Sequence, residues 1–211
     1  MNAALGFRAH SGWAAMVAVT GSPRKPLVLD RRRIVTADPG IPGSRQPFHT
    51  AGSLDLQQAE TLIISCRKKS TLLATDAVTA ITAQLAQKGH RVTATAILFA
   101  AGRPLPGLAA ILKSHALIHT AEGEFFREVL VRASEQCSLP IIRLKEREAW
   151  EQSAALFHIS PEALRTRIDQ LGRTLGPPWT QDEKLASLAA WIAMAEPATR
   201  ESTQQAQMTQ K

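Results

Sequence analysis

Residues 91–100, with the sequence RVTATAILFA, decide the fold class of this chain. Apolar residues alternate with polar ones in the first half of the stretch and then become continuous, which predicts a β-strand buried on both faces. A Gly- and Pro-rich segment from Gly102 to Gly107 ends the strand. Because strands of this kind lie in sheets covered by helices on both sides, we expect an α/β fold.

The segments before this strand predict a hairpin and one long helix. Residues 12–20 and 27–36 are apolar arms on either side of a Gly/Pro turn, which is typical of two antiparallel strands. Residues 39–52 are dense in Gly and Pro and predict a loop with a short edge strand. Apolar side chains at three- and four-residue steps then predict a helix over 55–88, with or without a central break, which Gly89 ends.

The segments after the strand alternate again between helix and strand. We predict helices over 108–137, 146–157 and 160–172, a strand over 140–144, and a last helix that Thr180 caps together with Glu183. Residues 196–211 have no apolar face and predict a disordered tail. Residues 1–195 are enough for one domain with its own core. We therefore expect a mixed sheet with flanking helices and a helical C-terminal extension.

The composition is that of a basic globular protein. The 211 residues include 25 Lys and Arg against 18 Asp and Glu, the formal net charge is +7, and the mean hydropathy is −0.09. These values exclude disorder of the whole chain and favour an anionic partner, nucleic acid first, although solubility alone also explains the charge. No apolar run is long enough for a membrane span, and no secretion signal is present, so we expect a cytoplasmic protein with reduced Cys66 and Cys137.

Two short motifs carry a resemblance to a known superfamily. They are residues 6–14 (GFRAHSGWA) and 182–189 (DEKLASLA). Together with the order of predicted elements over residues 6–195, they resemble the ribonuclease H-like superfamily, in particular RuvC-type crossover-junction resolvases and related predicted nucleases. The resemblance implies a sheet in which three antiparallel strands precede alternating helices and strands. It also implies a nuclease that holds two divalent cations, Mg²⁺ or Mn²⁺, between carboxylates.

Arg8 departs from the pattern of these nucleases. It stands where the resemblance places the aspartate of the first strand, and residues 91–100 contain no acidic residue where a further carboxylate is expected. A guanidinium repels a divalent cation rather than binding it. The fold can therefore be shared while the carboxylate–metal chemistry is absent or has moved, since a fold does not fix a function.

A second group of candidate residues lies on one predicted helix. His115, His119 and Glu122 are spaced i, i+4 and i+7 and share one face. Two imidazoles and a carboxylate suit a transition-metal site, with Asp182 as a further ligand, or acid–base catalysis by His119 and Glu122. The alternatives are that the histidines hydrogen-bond within a helical layer while Glu122 faces water, and that Asp182 only favours the dipole of its helix.

Further candidates lie in two predicted loops. In the first loop, Arg8 and Ser11 are suited to bind a phosphate or carboxylate, and His10 is suited to transfer protons. Arg103, directly after the buried strand, is another anion-binding candidate. Each loop can also be a polar connection without a ligand. The basic runs suit either a phosphate-backbone path or a solvated face, and they comprise Arg24, Lys25, Arg31, Arg32, Arg33, Arg67, Lys68 and Lys69.

Two functions of different classes follow from the sequence. The first is a divergent nuclease or phosphate-ester hydrolase that acts on nucleic acid with Mg²⁺ or Mn²⁺. The alternative is a non-catalytic module that kept the fold and binds nucleic acid or a protein; a small anionic metabolite as ligand also stays open. Convergence of the candidate residues in one cleft favours the enzyme, and separate positions favour the module. These residues are Arg8, His10, His115, His119 and Glu122.

Overall fold

The computed structural model describes residues 1–100, 102, 104–173 and 175–195. Arg103 and the tail of residues 196–211, both singled out by the sequence, lie outside the described residues. Within the described part of the chain, no helix combines the length and the apolar character that a membrane span requires.

In this part of the chain, five strands form one mixed sheet. They are β1 (Asn2–His10), β2 (Trp13–Ser22), β3 (Lys25–Val35), β4 (Arg91–Phe99) and β5 (Ile141–Lys145). The order is β3-β2-β1-β4-β5, antiparallel among β1 to β3 and parallel from β1 through β4 to β5. This confirms the predicted mixed α/β sheet. The carboxyl ends of the three parallel strands meet at one edge, the edge where open α/β sheets bind ligands.

The described helices cover both faces of this sheet. They are α1 (Pro47–Ala51), α2 (Leu56–Gln87), α3 (Leu108–Ile111), α4 (His115–Gln136), α5 (Ala149–Phe157), α6 (Pro161–Arg173) and α7 (Gln181–Ala195), with a 3₁₀ turn at Glu146–Glu148. Leu5 and Phe7 pack in one core with α1, α2 and α4, whereas Ala4 packs in a second core with α5, α6 and α7. Successive side chains of β1 therefore face opposite helical layers, as the strand pleat requires.

Local sequence signals account for the long helix α2. At the start of α2 the Asp55 carboxylate accepts the backbone N–H of Gln58 over 2.8 Å, and after its C-cap residue Lys88 the chain turns at Gly89, which has a φ of +80°. The helix continues through the middle without a break because Ser70 and Thr71 lie on the face that packs into the core. Helix α4 is likewise continuous through Gly123.

Two sequence expectations about the N-terminal region are wrong. Arg8 and His10 are in strand β1 rather than in a loop, because β1 is paired on both sides and its pairing with β2 continues to the end of the strand. The connecting turn contains only Ser11 and Gly12, and Gly12 supplies the positive φ of +82° that the turn needs. Residues 39–52 contain the short helix α1 instead of an edge strand, because Pro47 favours a first helical position and burial of its neighbours holds the turn.

The backbones of β1 and α7 approach each other closely, so the layer of α5, α6 and α7 packs directly on the sheet. A Cβ atom on Gly6 would lie 1.9 Å from the backbone oxygen of Ala186 and 2.5 Å from the backbone nitrogen of Ala190. Helix α7 is buried nearly all round, with Trp191 fully buried and stacked on Phe157 at a centroid distance of 4.0 Å. Such a helix is stable only in the interior of a protein. Gly6 is therefore the position that lets α7 lie directly against the central strand.

We expect Gly6→Ala to destabilise the protein by about 3 kcal/mol or more, because the added methyl group overlaps backbone atoms that cannot move independently. Urea unfolding followed by circular dichroism measures the change. Gly107→Ala is the matched control, since a Cβ atom there meets nothing within 4 Å, and it should cost less than about 1 kcal/mol. Equal stability of the two variants would contradict the close packing of α7 on β1.

Candidate functional site

The first candidate site is a network around Arg8, near the end of β1. The Arg8 guanidinium donates from Nη2 to Oε1 of Glu146 over 2.7 Å and from Nε to Oε2 over 3.2 Å. Nη1 donates to Oδ1 of Asp182, which also accepts from Nε2 of His10 over 3.0 Å. All four side chains are partly buried. One guanidinium thus binds two carboxylates from two different elements.

The fold dictates why these groups meet. Arg8 is two residues beyond Gly6 and faces the same side of β1, while Asp182 is one helical turn before Ala186 on α7. Four helical residues span about 6 Å and two strand residues about 6.6 Å, so contact at Gly6 places Asp182 over Arg8. Glu146 directly follows β5 at the same edge of the sheet.

The predicted capping box keeps Asp182 available for this contact. The Glu183 carboxylate accepts both the backbone N–H and the hydroxyl of Thr180 over 2.7 Å, so the helix start is capped by Thr180 and Glu183. The Asp182 side chain points instead to Arg8 and His10. Asp182 and Glu183 are neighbours in sequence but lie 100° apart around the helix, so their side chains have different partners.

The Arg8 network does not fit a carboxylate-held Mg²⁺ or Mn²⁺. The hydrogen bonds that Arg8 donates to Glu146 and to Asp182 raise the pKa of Arg8 above its ordinary value, although burial opposes them, so the guanidinium stays charged. A divalent cation at these carboxylates would have to displace a charge-assisted bidentate pair and would be repelled by Arg8 at contact distance. In this structure Arg8 binds the carboxylates of Glu146 and Asp182 rather than an external anion.

An aromatic stack covers the outer side of the Arg8 network. The His10 ring lies parallel to the Trp13 ring at a centroid distance of 4.2 Å, and the Arg33 guanidinium lies 4.0 Å from the centroid of Trp13. Because a carboxylate only accepts, the contact with Asp182 makes Nε2 of His10 the protonated nitrogen. The stack and this hydrogen bond fix the orientation of His10.

The second candidate site is a cluster of three histidines on the other face of the sheet. His49 from α1 joins His115 and His119 from α4, and one ring nitrogen of each lies within 4.8 Å of those of the other two. The ring centroids are 4.4 Å apart for His115 and His119 and 4.7 Å for His49 and His119. His49 is half-buried, whereas His115 and His119 are exposed.

Glu122 lies beneath this histidine cluster and is almost fully buried. Its Oε2 accepts from Nδ1 of His49 over 2.9 Å and from the backbone N–H groups of Phe48 and His49 over 3.2 and 3.3 Å. It therefore caps the start of α1, whose N-cap residue provides no side-chain hydrogen bond. Burial raises the pKa of Glu122, and the bonds from His49 and Phe48 oppose that rise. Among the described residues, its Oε1 has no hydrogen-bond partner.

The predicted site residues thus fall into two groups on opposite faces of the sheet. Arg8 and His10 are with Asp182 in the layer of α7, and His115, His119 and Glu122 are in the layer of α4. Asp182 is not near the histidines as a fourth ligand, because it contacts Arg8 and His10. Ser11 is exposed in the turn between β1 and β2.

Sequence reasoning missed two residues of these groups, Glu146 and His49. Glu146 is the first residue after β5, and acidic residues that follow parallel strands are candidates for the ligand-binding edge. His49 follows Pro47, whose preference for a first helical position is the signal that predicts a helix there. Neither signal says which distant residue is the partner.

A basic groove lies between α2 and α4. It has a volume of about 450 Å³, and its lining includes Arg67, Lys68 and Arg132. Burial and the neighbouring Arg132 lower the pKa of Arg67, whose guanidinium lies 5.4 Å from the ring centroid of Phe125. In the described part of the chain, neither Arg67 nor Arg132 forms an ion pair within 4 Å, so both are available to an external anion.

Comparisons with known proteins identify the fold. No protein-family model matches the sequence, and no curated protein matches it either. The chain is similar to RuvC of Thermus thermophilus in complex with a Holliday junction substrate, with a TM-score of 0.52, 11% identity, and coverage of 90% of this chain and 91% of that one. A second structure of Thermus thermophilus RuvC gives a TM-score of 0.50 and 12% identity over the same shares of both chains. These likenesses and the five-stranded mixed sheet show that the chain has a ribonuclease H-like fold of the RuvC type.

Proposed function

We propose that this protein binds nucleic acid and does not cleave it through metal ions held by carboxylates. The observation that carries the proposal is the pairing of Arg8 with both Glu146 and Asp182. Of the two functions that the sequence leaves open, this geometry favours the non-catalytic module, because the carboxylates that suit a metal are already paired with a cationic residue of the chain.

The Arg8 guanidinium cannot perform the chemistry of a divalent metal ion. A divalent metal activates a water molecule and stabilises the attacking and leaving oxygens of a phosphate ester. The Arg8 guanidinium has a raised pKa and donates its hydrogen bonds to Glu146 and Asp182 of the same chain. It therefore neither activates water nor accepts a proton. Its contribution is structural, since it ties β1 to α7 and to the end of β5.

Three observations support nucleic acid as the partner. The formal net charge is +7, which favours a polyanion. The groove between α2 and α4 has two arginines without ion-pair partners in the described chain, so phosphates gain contacts that cost no internal salt bridge. A solved structure with the same fold contains a Holliday junction substrate bound to RuvC. We therefore place phosphate contacts at this groove and take branched DNA as the first substrate to test.

The test measures binding and cleavage together. Purified protein is mixed with four-way junction, duplex and single-stranded DNA and with the corresponding RNA, in the presence of Mg²⁺ or Mn²⁺. We expect binding whose affinity falls steeply with salt and no cleavage products. Metal-dependent cleavage that is lost in Asp182→Asn would overturn the non-catalytic part of the proposal. Absence of binding at low salt would overturn the nucleic-acid part.

Arg8→Asp should convert the Arg8 network into a group of three carboxylates. Without metal, we expect a loss of about 2 kcal/mol or more, because Glu146 and Asp182 lose their cation and gain a like charge. Mg²⁺ should then raise the Tm of this variant by about 3 °C or more while leaving the wild-type Tm unchanged. Mg²⁺ is chosen because it prefers oxygen ligands over imidazole.

Arg8→Asn is the matched control for this measurement. It removes the same guanidinium without adding a carboxylate, so Mg²⁺ should stabilise it less than Arg8→Asp. A wild-type protein that Mg²⁺ stabilises as strongly as the aspartate variant would contradict the interpretation that Arg8 excludes the metal. Scanning fluorimetry of the three proteins over a Mg²⁺ series provides the comparison.

Arg67→Gln combined with Arg132→Gln should weaken nucleic-acid binding about tenfold at moderate salt and reduce the slope of log K against log salt by about 1 to 2. The control is Arg24→Gln with Lys25→Gln, which removes the same charge from the turn between β2 and β3. We expect the control to lose less than about threefold in affinity. Equal losses in the two variants, measured by fluorescence anisotropy, would show that total charge rather than the groove determines binding.

A further inference from the structure

The three histidines form the right set of donors for a transition metal. Imidazole nitrogens are good ligands for Zn²⁺ and its first-row neighbours and poor ones for Mg²⁺. Zn–N bonds of 2.0–2.1 Å in tetrahedral geometry place the ligand nitrogens about 3.3 Å apart. The nitrogens of His49, His115 and His119 lie within 4.8 Å of one another, and the exposed rings of His115 and His119 are free to turn by the small amount required.

We propose that His49, His115 and His119 bind one transition-metal ion, with Zn²⁺ as the representative, and that Glu122 positions His49 for it. The site is distinct from the Arg8 network, which is on the other face of the sheet. The proposal does not depend on nucleic-acid binding, because none of the four side chains is in the basic groove.

Glu122 supplies the outer contact that metal-bound histidines commonly have. Its Oε2 accepts the N–H of Nδ1 of His49, which leaves the lone pair of Nε2 for a metal. A structural role in capping α1 explains the two backbone hydrogen bonds to Glu122. It does not explain why the rings of His115 and His119, which make no hydrogen bond within the described chain, meet the ring of His49. A cation bound by the three imidazoles accounts for the meeting of their rings next to Glu122.

The surroundings of His119 leave room for an additional ligand. His119 lines a cavity of about 730 Å³ at the carboxyl end of β4, together with Ala100, Leu105 and Arg127. Three protein ligands with a fourth position open to solvent are typical of catalytic zinc sites, whereas structural sites are closed by four protein ligands. Arg127 and Glu124, an ion pair with a separation of 3.5 Å, both line this cavity. We therefore infer that a small anion or water occupies the open position when the metal is bound.

The first experiment measures metal binding by the chelator-treated full-length protein. We expect one Zn²⁺ per chain with a Kd of about 1 μM or tighter, and a rise in Tm of about 5 to 10 °C at metal concentrations a hundredfold above Kd. Co²⁺ should give the visible absorption of a four-coordinate ion, and azide should change that spectrum by entering the open position. No saturable binding of Zn²⁺ or Co²⁺ would overturn the proposal. A spectrum insensitive to azide would overturn the open position.

Single substitutions assign the ligands. His115→Ala and His119→Ala change exposed side chains, so the protein should fold, and each should weaken Zn²⁺ binding by about a hundredfold or more. His158→Asn is the control, because His158 is exposed outside the cluster and asparagine tolerates its positive φ of +51°. Unchanged binding in both alanine variants, or an equal loss in the control, would place the metal elsewhere.

Glu122→Gln tests the positioning role. The amide retains the size of the carboxylate and one acceptor oxygen but removes the charge, so we expect about a 10- to 100-fold loss of Zn²⁺ affinity. Glu135→Gln makes the same substitution on the same helix at an exposed position away from the histidines and should change the affinity less than threefold. Circular dichroism of both variants confirms folding. A folded Glu122→Gln protein with wild-type Zn²⁺ and Co²⁺ titrations would contradict the role of Glu122.

Discussion

The contact between Gly6 and the backbone of α7 is the constraint on which the Arg8 network depends. Any side chain at Gly6 would overlap the backbone at Ala186, so the central strand and the helix meet without intervening atoms. The contact sets both the height and the register of α7 over β1. Asp182 is one helical turn before Ala186 and therefore lies over Arg8. The Arg8 network thus depends on the backbone geometry of a strand and a helix rather than on a flexible loop.

The same contact explains how two acidic side chains meet around one arginine at this edge of the sheet. Glu146 and Asp182 repel each other unless a cation joins them. Arg8 provides that cation from within the chain, with bidentate geometry at Glu146 and no dependence on metal supply. Both acidic side chains are thus directed at a residue of the chain itself. Similarity of fold to RuvC therefore carries no implication of the same reaction.

Sequence alone predicted the elements whose signals are local. The continuous apolar run of β4, the helical spacing of apolar residues in α2 and the Thr180–Glu183 capping box each depend on residues within one element. The contacts of the two sites depend on distant residues. Arg8 and Glu146 are separated by 138 positions and His49 and Glu122 by 73, and no periodicity connects such pairs. Helix α1 has a local signal in Pro47, but its start is capped by Glu122 of α4, a contact that the local sequence does not indicate.

The two sites differ in how their buried negative charge is compensated. In the layer of α7, two carboxylates share the permanent charge of Arg8 and a hydrogen bond from His10. In the layer of α4, Glu122 is more deeply buried and, among the described residues, has only His49 as an ionisable partner, with one carboxylate oxygen left without a hydrogen bond. A buried carboxylate of this kind is costly unless a cation lies nearby. The exposed rings of His115 and His119 complete a set of imidazole nitrogens at that position. On one face of the sheet, Arg8 compensates the charge of Glu146 and Asp182. On the other face, the imidazole nitrogens beside Glu122 are suited to bind a cation from solution.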